Sequence, residues 1–306
     1  MADPYISLCI PTNGVIEWVF PVLKSIYEQN VANSLFEVIV TNNGSNDKFD
    51  NLMLEYVKRH SNLIYKKTNA VLFHNQLETL KLAKGKYLKF INHRSTLVKG
   101  SLSKMIDIIK NNEDIKPIIY FSNNTLNKER YEINNFDNFV KLLGRYISWT
   151  TGVGIWKSDY DDVSNSLKID NISPHSCILF AKRKKNKYII ENFLFSKELE
   201  TDHSKKGHYD LFKAFAIEEV SIALNLYIDG SISADTFKSV KNDYKKMVAE
   251  LFLKFIIKKE PCSYSLDGFE NSMGIFFQKN EIYSAIIKLI FIKAVKKTIK
   301  LLKGIL

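Results

Sequence analysis

Cysteine is scarce in this chain: Cys9, Cys177 and Cys262 are the three among 306 residues. Their number is odd and their spacing fits no zinc-ligand pattern, which argues against a disulfide framework and a cysteine metal site. Cys9 and Cys177 fall inside apolar segments, as buried reduced thiols do, and that suits the cytosol. No charge-free apolar run reaches the length of about eighteen residues that a membrane-spanning helix needs. The opening Met-Ala-Asp-Pro-Tyr runs straight into a strand pattern, so no secretory leader is expected. Internal repeats and low-complexity linkers are also missing. What remains is ordinary globular material, 45% apolar and 25% charged.

The charge is not ordinary. A net charge of +11 and a pI near 9.2 call for a polyanionic partner: nucleic acid, a nucleotide diphosphate or anionic lipid. No helix-turn-helix, zinc-finger or RNA-recognition signature is present, so nucleic acid is not expected. The basic residues gather at Lys182-Arg183-Lys184-Lys185, at Lys205-Lys206 and along the C-terminal end.

The first hundred residues alternate strand and helix patterns. Apolar runs Ile6–Ile10, Phe36–Thr41 and Tyr87–Ile91 are each closed by polar residues: Pro11-Thr12-Asn13, Asn42-Asn43-Gly44-Ser45 and Asn92-His93-Arg94-Ser95. Between them, Val15, Val19, Leu23 and Ile26 repeat at helical spacing, and Asp50–His60 and Asn75–Lys84 read as further helices, the last closed by Gly85 as a left-handed cap. Gly100 opens another helix, and Pro117–Phe121 reads as a strand. This rhythm predicts an α/β fold with a mostly parallel sheet flanked by helices, whose ligand site lies beyond the carboxyl ends of the strands. Further along, Asn135–Gly144 and Ser176–Lys182 read as helices, Ser148–Trp156 and Tyr188–Ile190 as strands, and 210–260 as helical.

In order and spacing these signals resemble the nucleotide-sugar-binding half of a family-2 glycosyltransferase of the GT-A fold. The likeness is good over the first third of the chain and patchy beyond it. It implies a nucleotide-sugar half over 1–122, an acceptor half over 123–215, and a helical C-terminal extension over 216–306. It places the donor nucleotide against Pro11, Thr12, Asn13, Asn42, Asn43 and Gly44. The family usually has an acidic pair where Asn42 and Asn43 stand, one member accepting from the nucleobase. An amide complements cytosine, and its carbonyl also accepts from uracil, so UDP and CDP donors both stand.

The main departure from the family is at the third strand end. Asn92 and Arg94 occupy the two positions where the resemblance expects the Asp-x-Asp pair that holds Mg²⁺ or Mn²⁺. Divalent cations of that kind want carboxylate oxygens. The expectation is therefore that no metal is required, with Asn92, His93 and Arg94 facing the diphosphate and the guanidinium neutralising it. An unusual use of Mn²⁺ or Mg²⁺ and an inactive strand end are the alternatives. Lys205 and Lys206, in a polar loop, would add charge over the same diphosphate. The resemblance puts the acceptor beside Trp149, Thr150, Thr151 and Gly152. It puts the general base on His175, with Asp170 as the other candidate.

At the C-terminal end, Lys293, Lys296, Lys297, Lys300 and Lys303 share one side of a helical pattern, with Phe291, Val295, Ile299, Leu302 and Leu306 on the other. Residues 291–306 thus read as a helix lying on an anionic membrane surface, the alternatives being packing on the body or at an oligomer interface. The function implied is an inverting transfer of a sugar from a nucleotide diphosphate to a lipid-linked glycan in surface polysaccharide (O-antigen or capsule) synthesis. The enzyme would work in the cytoplasm, peripheral to the inner face of the plasma membrane. The rivals are a GT-A domain that binds glycan or a partner without turnover, and a nucleotidyltransferase. The latter wants a glycine-rich phosphate loop, where Pro11-Thr12-Asn13-Gly14 has one glycine.

Overall fold

The computed structural model describes residues 3–200 and 208–303, with side chains as far as residue 295. The chain forms two compact units, 1–139 with 146–201, and 140–145 with 202–306.

In the first unit the order is β1 (Ile6–Thr12), α1 (Ile16–Tyr27), β2 (Phe36–Asn42), α2 (Asp47–Val57), β3 (Leu63–Lys67), α3 (Asn75–Leu82), β4 (Tyr87–Phe90), β5 (Ser95–Leu97) and α4 (Ser101–Asn111). Next come β6 (Ile118–Phe121), β7 (Arg130–Ile133), α5 (Phe136–Leu143), β8 (Gly154–Trp156), α6 (Lys157–Val163), α7 (Pro174–Phe180), β9 (Tyr188–Glu191) and β10 (Ser196–Glu198). Every β2 residue is buried, and every β1 residue except the half-buried Pro11, as expected of strands covered on both faces.

The main sheet has the order β3-β2-β1-β4-β8. β1 pairs in parallel with β2 on one side and with β4 on the other, and β8 closes the sheet antiparallel to β4. The chain therefore steps outward from β1 through β2 to β3, then returns to the opposite side of β1 for β4. That reversal is a topological switch point, and the crevice it creates opens at the carboxyl end of β1. Four apolar residues of α1, namely Val19, Val22, Leu23 and Ile26, pack into the core beneath it.

Four local expectations change. α2 starts at Asp47 because the Asn46 side chain accepts the Phe49 N–H, a cap the apolar pattern hid. Its buried residues are Phe49 and Met53, while Leu52 and Leu54 are exposed. Strand 118–121 joins a separate sheet, β6-β9-β7, rather than extending the first. The stretch 148–156 is a strand only from Gly154; before it, Thr150–Gly152 makes a 3₁₀ turn. Gly85, finally, is not in a left-handed conformation; α3 ends at Ala83 in extended backbone.

Gly85 is glycine for a packing reason. A Cβ there would lie 2.6 Å from Ser7 Oγ and 2.8 Å from Ser7 N. The Gly85 N–H donates to Ser7 Oγ at 2.8 Å and to Glu37 Oε1 at 2.9 Å, and Glu37 Oε1 also accepts from Ser7 Oγ and from Lys84 N at 2.6 Å each. This buried knot ties the amino ends of β1 and β2 to the start of β4.

The second unit is helical. A run from α8 (Leu211–Lys213) passes through a π turn at Ala214–Glu218 into α9 (Glu219–Ile228). α10 (Ala234–Phe252), α11 (Phe269–Ser272) and α12 (Lys279–Lys303) complete it. Phe212, Phe252, Phe269 and Tyr283 form an aromatic cluster, and the buried Tyr244 hydroxyl donates to Glu219 Oε2 at 3.0 Å. Among the described residues no helix is long and apolar enough to cross a membrane.

Gly85→Ala should lower stability by about 1–3 kcal/mol, the usual cost of forcing volume into a packed site. Urea or thermal unfolding checks this, and an unchanged midpoint would show that the knot yields freely.

Candidate active site

The switch point is bridged by side chains. Thr12 Oγ1, at the end of β1, accepts the Gly14 N–H at 3.1 Å and lies 2.8 Å from His93 Nδ1, just past the end of β4. The Thr12 hydroxyl and His93 Nδ1 share one hydrogen between them, and the ring tautomer sets which of the two donates. Burial, helped by the charge of Arg94, pushes the His93 pKa down to about 3, so the ring is neutral. Trp18 of α1 stands edge-on to His93, with ring centroids 5.0 Å apart. The Arg94 guanidinium lies 5.6 Å from the Trp18 ring centre. One of its terminal nitrogens pairs with Glu198 Oε1 of β10 at 3.0 Å, while its Nε is buried without a partner. Asn92 Oδ1 accepts the Arg94 N–H at 3.0 Å, so the amide shapes the turn that presents Arg94.

Thr12 and Asn42 are register partners across β1 and β2. Asn42 is fully buried and its amide is engaged: Nδ2 donates to Asp50 Oδ1 at 2.6 Å, and Oδ1 accepts the Gly44 N–H at 2.8 Å. Asn43 donates to the carbonyls of Ala70 and Leu72 at 2.9 and 3.0 Å, latching the loop before α3. Gly44 must be glycine, since a Cβ would lie 1.9 Å from the Asn13 carbonyl oxygen. Asn13 is exposed and Pro11 half-buried, so these two keep accessible surface at the crevice.

At the 148–153 segment, the Trp149 ring packs 5.9 Å from that of Phe195. Thr151 is buried with no partner for Oγ1, and Gly152 lies under Tyr120, where a Cβ would meet the ring at 2.2 Å. His175, in the first turn of α7, donates its Nε2–H to the Ser148 carbonyl at 2.9 Å. Its Nδ1 is buried without a partner. Burial pushes its pKa down to about 4 against the raising effect of the Ser148 bond and of Asp170. At neutral pH it is therefore an uncharged imidazole with a free lone pair. Asp170 Oδ1 accepts the N–H groups of Ile172 and Ser173 at 2.8 Å each, shaping the entry to α7. A bond of 2.8 Å between His74 Nε2 and Asn171 Oδ1 joins that entry to the loop held by Asn43.

Lys205 and Lys206 lie outside the described residues. The Lys182–Lys185 cluster is partly neutralised, Lys182 by Asp162 at 2.9 Å and Lys185 by Asp159 at 2.7 Å. Among the described residues no group of three or more His, Cys, Asp or Glu side chains gathers to ligate a metal. At the end of β4 the donor set is a guanidinium, a neutral imidazole bonded to Thr12 and an amide bonded to backbone, which does not fit a divalent cation.

Sequence reading missed Asn75, Asp50, Trp18 and Glu198. Asn75, buried at the head of α3, donates to the carbonyls of Thr12 and Thr41 at 3.1 and 2.8 Å and so ties the ends of β1 and β2 together. Asp50 accepts from Asn42, Tyr65 and Lys67. Burial pushes its carboxyl up, but those bonds outweigh it and hold it below the usual range. Its place eight residues beyond Asn42, one face along α2, was the only available signal.

The sequence pattern of glycosyl transferase family 2 matches residues 7–162, about half of the chain. The chain belongs to that family and is a glycosyltransferase of the GT-A fold. It is 24% identical over 247 residues to the minor teichoic acid biosynthesis protein GgaB of Bacillus subtilis, a match covering 77% of this chain but only 24% of GgaB. It is 23% identical over 286 residues to an uncharacterized glycosyltransferase of Rickettsia typhi, covering 91% of this chain and 81% of that one. Among solved structures, S. aureus TarS 1–349 in complex with UDP-GlcNAc superposes with a TM-score of 0.59 at 14% identity, over 89% of this chain and 80% of that one. The mannosyltransferase PcManGT of Pyrobaculum calidifontis, in complex with GDP-Man and Mn²⁺, gives 0.50 at 13% identity, over 82% of this chain and 75% of that one. At these identities the structural likeness is one of fold.

His175, buried, and His93, half-buried, should both make stability depend on pH. As pH falls below about 6.5 the unfolded chain takes up protons that the folded state refuses until about 4 at His175 and about 3 at His93. Stability is thus full above this window and declines on acidification through it. His175→Gln keeps a donor for Ser148 and removes one titration, so its melting temperature should fall less steeply between pH 6.5 and 4. An equally steep decline would show that His175 is not held neutral.

Proposed function

We propose that this enzyme moves a sugar from a nucleotide diphosphate, UDP or CDP, to a hydroxyl of a lipid-linked glycan in the assembly of a bacterial surface polymer, with no metal ion required. Teichoic acid synthesis, in the name of GgaB, and the UDP-GlcNAc bound to TarS support the class of polymer and of donor. The observation that carries the reading is the Thr12–His93–Arg94 constellation across the switch point. The nucleoside would lie along Pro11, Asn13 and the Asn43–Gly44 backbone, because the Asn42 amide is already used. Its diphosphate would lie over Asn92, His93 and Arg94. In a single in-line displacement His175 Nδ1 takes the acceptor hydroxyl proton, the acceptor oxygen bonds to the anomeric carbon, and the bond to the diphosphate oxygen breaks. The leaving nucleoside diphosphate departs with the electron pair and Arg94 offsets its charge. Trp149 and Thr150, both half-buried, would form the wall against which the acceptor sugar rests, with Thr151 and Gly152 buried behind them.

The membrane part of this reading rests on α12. Ile282 and Ile286 are buried against the helical unit, whereas Ile287, Ile290, Phe291 and Val295 are exposed. At 100° per residue the exposed stripe faces away from the packed one. An anionic lipid surface on the cytoplasmic side of the plasma membrane suits that apolar stripe and the lysines that follow it.

Thermal-shift titration with UDP, CDP and GDP, in EDTA or in Mn²⁺, tests the donor site, since a ligand of the folded state alone raises the melting temperature. Binding and sugar transfer should survive EDTA. Arg94→Ala should weaken diphosphate binding by about tenfold or more, each charge-assisted bond contributing about 1.5–3 kcal/mol. Binding that needs Mn²⁺ would overturn the metal-free reading. Tight binding with no transfer to any glycan would favour a non-catalytic, glycan- or partner-binding role.

Deleting residues 291–306 should release the protein from anionic vesicles while its melting temperature holds. Each lysine near such a surface contributes about 1 kcal/mol. Vesicle binding unchanged by the deletion would assign the helix to packing or to an oligomer contact.

A further inference from the structure

Lys89 is the third residue of β4 and is completely buried. Among the described residues it makes no ion pair with a carboxylate. Its Nζ instead donates to three backbone carbonyls, those of Thr151, of Phe90 at 3.2 Å and of Val153 at 3.4 Å. It also lies 5.0 and 5.2 Å from the ring centres of Phe121 and Phe195. An ammonium has three N–H donors and no acceptor, so three carbonyls satisfy it fully, and two ring faces add favourable field. Burial opposes this, pushing the ammonium well below the usual lysine range. An apolar side chain of similar length would fill the space without that penalty. It would leave the Thr151 carbonyl without its lysine donor.

The carbonyls identify what the charge holds. Thr151 and Val153 belong to the turn that crosses the end of β4, and the Phe90 N–H bonds the Val153 carbonyl at 3.1 Å. That turn begins at Trp149, whose ring packs on Phe195, one of the two rings beside Nζ. One residue earlier is Ser148, whose carbonyl fixes the His175 ring through Nε2.

We propose that Lys89 is a positioning residue for transfer: its ammonium clamps the 148–153 segment so that the Ser148 carbonyl holds His175 in the Nε2–H form with Nδ1 free. The proposal rests on the reading of His175 as general base and of this segment as the acceptor wall. Lys89 itself touches no substrate, because its three donors are used by the protein. Its effect should therefore fall on transfer and not on nucleotide binding.

The test compares Lys89→Met, which keeps length and removes the donors, with Lys89→Gln, which keeps two donors without charge. Three measurements are made on the full chain: the melting shift with UDP or CDP, the rate of sugar transfer against pH, and nitrogen NMR of ¹⁵N-histidine-labelled protein with the His175 signal assigned through His175→Gln. We expect Lys89→Met to keep the nucleotide shift, to lose transfer by about tenfold or more, and to show His175 as a mixture of tautomers. Lys89→Gln should lie between it and the parent on both transfer and tautomer. A His175 tautomer unchanged in Lys89→Met would overturn the proposal, as would transfer and nucleotide binding that fall together. Failure of both variants to fold would assign Lys89 to the fold alone and overturn it equally. If the parent protein transfers no sugar, the functional reading fails, and the NMR comparison still decides whether Lys89 sets His175.

Discussion

The site depends on one constraint, the reversal of strand order at β1. Its neighbours β2 and β4 are reached by connections that leave in opposite directions, so their carboxyl ends part around Thr12. A parted sheet end exposes backbone groups that must be satisfied. Asn75 answers this on the β2 side by bonding the Thr12 and Thr41 carbonyls, and on the β4 side the Thr12 hydroxyl accepts the Gly14 N–H while bridging to the His93 ring. Trp18 then touches both residues that follow, edge-on to His93 and beside the Arg94 guanidinium. Without the reversal there is no crevice for them to line.

Three positions where family likeness expects carboxylates carry amides, Asn42, Asn43 and Asn92, and the structure gives the first and the last the same local task. Asn42 Oδ1 accepts the Gly44 N–H and Asn92 Oδ1 accepts the Arg94 N–H, each two residues on. An aspartate could make either turn. At 42, however, it would set a second carboxylate against Asp50 Oδ1, which the Asn42 Nδ2 donor now meets at 2.6 Å. The amide at 42 is thus explained by α2 and not by a ligand. At 92 the same choice leaves Arg94 without a neighbouring anion on its own turn, so that Glu198 of β10 becomes its counterion.

Strand ends were legible because burial on both faces writes uninterrupted apolar runs, as in Phe36–Thr41, and the polar residues that stop them mark the crevice. Helix α1 was legible from its period. The start of α2 was not, since Asn46 acts through a side-chain bond that leaves no periodic trace, and Leu52 and Leu54 imitate a buried face they do not have. Gly85 looked like a helix cap and is a point of close approach to Ser7, a contact between residues 78 positions apart. The 148–153 turn read as a strand because its residues are strand formers; in the structure its Thr151 carbonyl accepts from Lys89, sixty-two residues away. Non-local contacts of this kind decide the shape of the 148–153 segment, and sequence pattern does not carry them.

Lys89 and Arg94 are two cations near the end of one strand, and the placement of their donors separates their roles. Lys89 has every N–H directed at a protein carbonyl and none left for a ligand. Arg94 gives one terminal nitrogen to Glu198 and keeps a buried Nε–H with no acceptor. A donor left unmade in a buried place costs about 1–3 kcal/mol, a cost removed when an acceptor arrives. An oxygen-rich anion brings such acceptors, and a planar guanidinium already held against Trp18 loses little freedom in meeting it. The orphaned donor and the fixed plane together set Arg94 apart from Lys89 as the cation at this strand end with a donor left over.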